Sequence, residues 1–220
     1  MTLKAEIFEQ ADILQNLLAG QKDKVETIAS EIRHIAPAYV FLAARGTSDN
    51  AGRYANYLWG SMNRLPVALA TPSLFTFYEK PPLLKGALVL GVSQSGQSPD
   101  IVSVLQEGHK QGCATLAITN APDSPLAKAA DFVLDIQAGE EKAVAATKTY
   151  TAELMAIAML GLFVSWGWID AAHYHYSDSL TKLRNGATFD AVLEARQAGV
   201  SESRPRQKPF RVWCPSFQLV

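Results

Sequence analysis

Residues 93–98, Ser-Gln-Ser-Gly-Gln-Ser, are the stretch whose side-chain types and spacing best suit chemistry. Three hydroxyls and one amide, from Ser93, Ser95, Ser98 and Gln94, can hydrogen-bond an anion without bringing charge of their own, and Gly96 lets the backbone come close. The stretch follows the apolar run Ala87-Leu88-Val89-Leu90-Gly91-Val92 and leads into Ser98-Pro99, a helix-start signal. Free backbone N–H groups at such a start point back into the loop, where the helix dipole favours negative charge. This arrangement suits a phosphate, and a loop without lysine or arginine suits one that exchanges. A turn rich in serine only because serine caps helices has the same spacing, so other stretches must decide.

A second stretch repeats the layout. Tyr39-Val40-Phe41-Leu42-Ala43-Ala44 reads as a strand, followed by Arg45-Gly46-Thr47-Ser48 and a helix holding Tyr54, Ala55, Leu58 and Met62. Gly46 permits a sharp turn, while Thr47 and Ser48 offer hydroxyls and helix-start amides. Loops at the carboxyl ends of parallel strands gather at one edge, so the two polar loops are expected to make one pocket. A third stretch, Ala138 to Thr151, combines two carboxylates with two lysines and runs into an apolar helix. Moving a proton between adjacent carbons of a sugar needs a nearby base, and Glu141 is the local candidate. Glu140, Glu141 and Lys142 equally suit a solvated first turn.

These stretches must be positioned by a regular alternation of strands and helices. Residues 3–19 place Ile7, Ala11, Leu14, Leu17 and Leu18 on one helical stripe, and residues 22–35 repeat the pattern with Val25, Ile28, Ala29 and Ile32. Glu6, Glu9 and Gln10 lie within reach of a neighbouring site. Strands are expected at 39–44, 66–70, 87–92, 114–119 and 132–136, with helices between them and short connections. The continuous apolar character of 87–92 suits a strand covered on both faces. The fold class expected is α/β, a three-layer α-β-α sandwich around a five-stranded parallel sheet. A helical pair at 1–35 precedes a domain at 36–165, and 166–220 reads as an irregular tail in which His173 and His175 are surface residues.

Composition narrows the function classes. The formal net charge of −1, from 20 basic and 21 acidic residues, provides no field to recruit nucleic acid or an acidic membrane surface. Cys113 and Cys214 are isolated, without metal-ligand spacing, which fits a reducing cytoplasm, and the amino terminus carries no secretion signal. No Gly-x-Gly-x-x-Gly follows the first strand and no Gly-Lys-Ser loop exists, so a nucleotide site is disfavoured.

Taken in order, Gly46-Thr47-Ser48, Ser93-Gln94-Ser95-Gly96-Gln97-Ser98, and Ala138-Gly139-Glu140-Glu141 through Thr147-Lys148-Thr149-Tyr150-Thr151 resemble the three substrate loops of the sugar isomerase (SIS) domain family. The family includes the isomerase part of glutamine-fructose-6-phosphate aminotransferase and related amino-sugar phosphate isomerases and deaminases. The resemblance implies a flavodoxin-like fold, no metal or organic cofactor, and a sugar phosphate ligand such as fructose 6-phosphate or glucosamine 6-phosphate. It implies that Ser48, Ser93, Gln94, Ser95 and Ser98 hold the sugar phosphate, with Gly46 and Gly96 shaping the loops and Thr47 lining the site. It further implies backbone contacts around Val144 and Ala145, and Glu141 and Lys148 beside the substrate as the catalytic candidates. Arg45 stands where the aminotransferases carry a cysteine, which favours a different phosphosugar.

Two functions follow as expectations. In one, the protein is an isomerase or deaminase that moves a proton between C1 and C2 of a sugar phosphate, with groups lent by a second subunit of a homodimer. In the other, it is a phosphosugar-binding module: the aminotransferase-like members of the family carry two successive SIS domains, with their proton-transferring glutamate in the second, and no second Ser-x-Ser-Gly loop follows residue 170 here.

Overall fold

The computed structural model describes residues 3–166. Its elements run α1 (Leu3–Gly20), α2 (Lys22–Ile35), β1 (Tyr39–Ala44), α3 (Thr47–Asn63), β2 (Val67–Leu69), α4 (Ser73–Thr76), β3 (Ala87–Val92), α5 (Pro99–Lys110), β4 (Ala114–Thr119), α6 (Pro125–Lys128), β5 (Phe132–Asp135) and α7 (Lys148–Trp166). The expected tail, its two histidines and the absence of a second domain lie outside the described residues.

The five strands form one all-parallel sheet in the order β2-β1-β3-β4-β5, the α/β architecture expected. Alternation along the strands divides the core in two. Val40 and Leu42 of β1 and Leu88, Leu90 and Val92 of β3 face one apolar cluster, shared with α2, α3 and α7. Ala43 and Val89 face the other, shared with Ile101, Val104 and Leu105 of α5 and with Leu126. Every residue of β3 is buried, as a central strand covered on both faces must be. Among the described residues, no helix is long and apolar enough to cross a membrane.

The first helices depart from the expected pattern. In α2 the residues buried are Val25, Ile28, Ala29 and Ile32, as the spacing predicts. In α1 Leu17 is buried, but Ile7 is 45% exposed and Phe8 72% exposed, while Glu6 is fully buried. The helix is turned so that Glu6 and Glu9 face inward, where they accept from backbone amides at 142–143 and from the buried Lys148 ammonium. The stripe in α3 is also displaced: Ala51, Gly52, Ala55 and Trp59 are buried, whereas Tyr54 is exposed. Small residues there let the helix lie close to β1, with Leu42 filling the space beside Gly52.

The helix after β3 is held equally close. A methyl group on Gly108 would stand 2.7 Å from Val89 Cγ2 and 3.0 Å from Val89 Cβ, and a β-branched valine in a strand has little rotamer freedom with which to retreat. We therefore expect Gly108→Ala to lower stability in urea unfolding by about 1–3 kcal/mol, less the fraction recovered from helix propensity. A variant as stable as the native chain would show that α5 shifts freely on the sheet.

Candidate functional site

The sheet order places β1 beside β3 while their following helices leave for opposite faces, since α3 packs with α7 and α5 packs with α4 and α6. Two loops that diverge at one sheet edge open a crevice between them, the place where open α/β sheets bind ligands. A pocket of about 210 Å³ occupies this position. From the loop after β1 it is lined by Arg45, Thr47 and Ser48, from the loop after β3 by Ser93, Gln94, Ser95 and Ser98, and from the loop before α7 and its first turns by Ala146, Thr149, Tyr150 and Glu153.

The β3 loop owes its shape to neighbouring strands. Ser93 N–H donates to the carbonyl of Ile118 at 3.1 Å, the Gln94 carbonyl accepts from Asn120 N–H at 3.1 Å, and the Gly96 carbonyl accepts from Leu126 N–H at 3.1 Å. Gly96 has φ +61°, and a Cβ there would stand 2.1 Å from Ser124 Oγ, so only glycine suits this turn. Its N–H donates to Ser93 Oγ at 3.2 Å, and the hydroxyl of Ser95 accepts from Gln97 N–H at 3.3 Å. Ser98 stands at the N-cap of α5 in extended geometry, followed by Pro99, but its hydroxyl makes no capping hydrogen bond. The expected cap is thus present in position only, and Ser98 is among the residues that line the pocket.

Arg45 contributes the cation that the serine loop lacks. Its guanidinium pairs with Asp100 in the first turn of α5, with the arginine side chain 68% exposed and the aspartate 15% exposed. The pair spans from the β1 loop to the start of the α5 helix and offsets an acid that would repel an anion drawn to that helix end.

The third loop is held by carboxylates. Glu141 accepts from Thr147 N–H at 2.8 Å, from the Thr147 hydroxyl at 3.3 Å, from Thr149 N–H at 3.4 Å and from the Thr149 hydroxyl. Burial raises its pKa, but these hydrogen bonds, the one from the Thr149 hydroxyl foremost, outweigh burial and leave the carboxyl below its ordinary value. It is the anion that satisfies the amides at the start of α7. Glu6 of α1 does the same for the preceding loop, accepting from Lys142 N–H at 2.7 Å and from Ala143 N–H at 3.2 Å. Asn120 closes the other side, accepting from Ala138 N–H at 2.8 Å and donating to the Gly139 carbonyl at 2.7 Å. Lys148 is 3% exposed and donates to Glu9 of α1 at 2.7 Å.

The structure thus brings Thr47, Ser48, Ser93, Gln94, Ser95 and Ser98 to one pocket. Gly46 and Gly96 sit in the turns that carry them. Glu141, Lys148, Val144 and Ala145 are outside its lining: the first two bind the loop and α1, and the last two are exposed beside Ala146.

One residue of the pocket went unnoticed in the sequence. Glu153 is 1% exposed and its Oε1 accepts from Ser48 Oγ at 2.8 Å. Burial pushes its pKa up, the Ser48 hydrogen bond pulls it down and the charge of Glu141 pushes it up, to about 7 in all. The signal available was compositional. Helix α7 holds only two charged residues, Lys148 and Glu153, in an otherwise apolar and polar-neutral run, and both are buried. A lone carboxylate at a core position costs free energy to ionise, and its presence asks for a reason.

Residues 37–162 match the model of the SIS domain. A glutamine-fructose-6-phosphate aminotransferase of Clostridium acetobutylicum is 36% identical over 166 residues, covering 72% of this chain and 27% of that protein, so the chain spans about a quarter of the length of such relatives. A solved structure from Silicibacter pomeroyi, assigned as a phosphosugar isomerase, superposes with TM-score 0.73 at 34% identity, covering 87% of this chain and 56% of that one. The C-terminal domain of the Francisella tularensis glucosamine-fructose-6-phosphate aminotransferase gives TM-score 0.65 at 26% identity, over 88% of this chain and 51% of that one. With its family match covering more than half of its residues and its sheet order, loops and helices those of a single α/β unit, the chain belongs to the SIS domain family.

Proposed function

We propose that the pocket binds a sugar phosphate and that the domain works on phosphosugars by proton transfer between C1 and C2. The observation that carries this reading is the convergence of uncharged polar groups, from Ser48, Ser93, Gln94, Ser95 and Ser98, on one crevice at the start of α5. Hydroxyls that hold no structural hydrogen bond, as at Ser98, are available to an oxyanion together with the first amides of the helix. Relatives named as aminotransferases that act on fructose 6-phosphate, and a structural neighbour assigned as a phosphosugar isomerase, support the same ligand class.

The ligand's phosphate sits in the Ser93–Ser98 loop with Arg45 at its margin, and the sugar extends toward Thr149 and Glu153. Assembly as a homodimer through α1, whose Leu3, Ile7 and Phe8 remain exposed, would add groups from a second copy. A second reading, a binding module without turnover, is favoured by a specific observation. Glu141 and Lys148, the two residues that the family resemblance nominates for catalysis, are both committed to structural partners.

Titration calorimetry with fructose 6-phosphate and glucosamine 6-phosphate tests the ligand class directly. We expect Ser95→Ala and Ser98→Ala each to weaken binding by roughly tenfold or more, as loss of a hydrogen bond to a charged group does, with the urea midpoint unaltered. Unchanged affinity in both variants would remove the serine loop from the site. Replacing Arg45 by alanine is expected to weaken binding and to flatten its dependence on salt, because an exposed cation acts on the phosphate through a screened field. A salt dependence identical to that of the native chain would assign Arg45 to its pairing with Asp100 alone.

A further inference from the structure

Among the described residues, Glu153 is the one carboxylate that lines the pocket. It projects from α7 toward the loop after β1, where Ser48 Oγ donates to its Oε1 at 2.8 Å. Its second oxygen, Oε2, has no hydrogen-bond partner among the described residues. A carboxylate that lines a crevice and is held there by one hydrogen bond is placed to exchange a proton with whatever occupies that crevice.

We propose that Glu153 is the group that carries the proton between the two carbons of the bound sugar phosphate, with Ser48 as its positioning residue. This rests on the phosphosugar reading and goes beyond it, since the residues nominated from the sequence for this work were Glu141 and Lys148. As a carboxylate, Glu153 takes a proton from C1 of an open-chain ketose phosphate. The C1–H electron pair becomes the C1=C2 double bond, and the C2 carbonyl oxygen takes a proton from solvent to give an enediol. In the second half, the proton on O1 leaves to solvent as C1=O forms, and the Glu153 carboxylic acid returns its proton to C2. Nothing is oxidised or reduced overall, and no co-reactant is consumed.

The surroundings suit a group that must exist in both protonation states. Burial disfavours the ionised form, the Ser48 hydrogen bond favours it, and the charge of Glu141 disfavours it, which leaves the carboxyl near neutrality at about 7. The other groups that line the pocket with it are Arg45, Thr47 and Ser48 of the β1 loop, the uncharged serine loop, and Ala146, Thr149 and Tyr150 at the start of its own helix. Lys148 is turned away to Glu9. Glu141, by contrast, lies below its ordinary value and holds the start of α7, so it is a poor proton acceptor at neutral pH.

The test is deuterium incorporation at C1 or C2 of fructose 6-phosphate and glucosamine 6-phosphate in D2O, followed by NMR, with the full chain and parallel calorimetry of the same ligands. We expect the native protein to catalyse exchange, Glu153→Gln to lose it by roughly 10²- to 10⁴-fold with affinity retained, and Glu153→Asp to recover part of it. The rate at low substrate should fall as pH drops below about 7, and Ser48→Ala should move that limb to higher pH, because it removes a hydrogen bond that favours the ionised form. A fold control comes from the same linkage. The native carboxyl takes up protons on folding, so the native chain loses stability as pH rises from the ordinary carboxylate range to about 7. Glu153→Gln lacks that loss and should gain melting temperature relative to native at pH 8 more than at pH 5. Exchange by Glu153→Gln at the native rate, or binding by the native chain with no exchange, would overturn the assignment of Glu153. Failure of the native chain to bind either ligand would instead overturn the phosphosugar reading.

Discussion

The site depends on one constraint of topology, the pairing of β1 with β3 along their full lengths, from Tyr39 beside Ala87 to Ala44 beside Val92. Both strands end at the same level of the sheet, so Arg45 and Ser93 begin their loops side by side. One chain then turns toward α7 and the other toward the opposite layer, and the gap between them cannot be closed by either helix. Close packing fixes how wide it stays. Gly52 admits Leu42 on one side and Gly108 admits Val89 on the other, so neither helix can drift from the sheet without opening a void.

Two carboxylates near this gap are driven in opposite directions by what surrounds them. Glu141 accepts four hydrogen bonds from threonine hydroxyls and backbone amides, and ionisation suits it. Glu153 has a single donor, Ser48, and is almost fully buried, so ionisation is costly there. Neighbouring acids whose environments separate their proton affinities are a recurring arrangement for dividing labour between a fixed anion and a proton carrier. Of this pair, Glu141 binds the amides that open α7 and Glu153 lines the cavity.

Legibility in the sequence followed the kind of force involved. The strands and the two hydroxyl-bearing loops were readable because burial on both faces yields unbroken apolar runs, and abrupt polarity after such a run marks a strand end. The rotation of α1 was not readable from its apolar stripe. Burial of Glu6 and half-burial of Glu9 come from amides at 142–143 and an ammonium at 148, distant positions whose needs leave no trace in local periodicity. Glu141 drew notice as an acid near a lysine, yet whether it faces substrate or backbone depends on the fold of the loop. Glu153 was hidden by its apolar helix, although a lone acid in such a run was itself the clue.

The SIS match begins at residue 37, yet two side chains from the first ten residues reach across to the rim of the cavity. The boundary drawn by sequence similarity and the boundary drawn by electrostatic necessity therefore differ. A version of the protein trimmed to the similar region would strand an ammonium in the interior and leave two peptide groups without an acceptor, loosening the rim before any ligand arrived. The leading helix is therefore part of what holds the loop before α7 in place, although the family match begins after it.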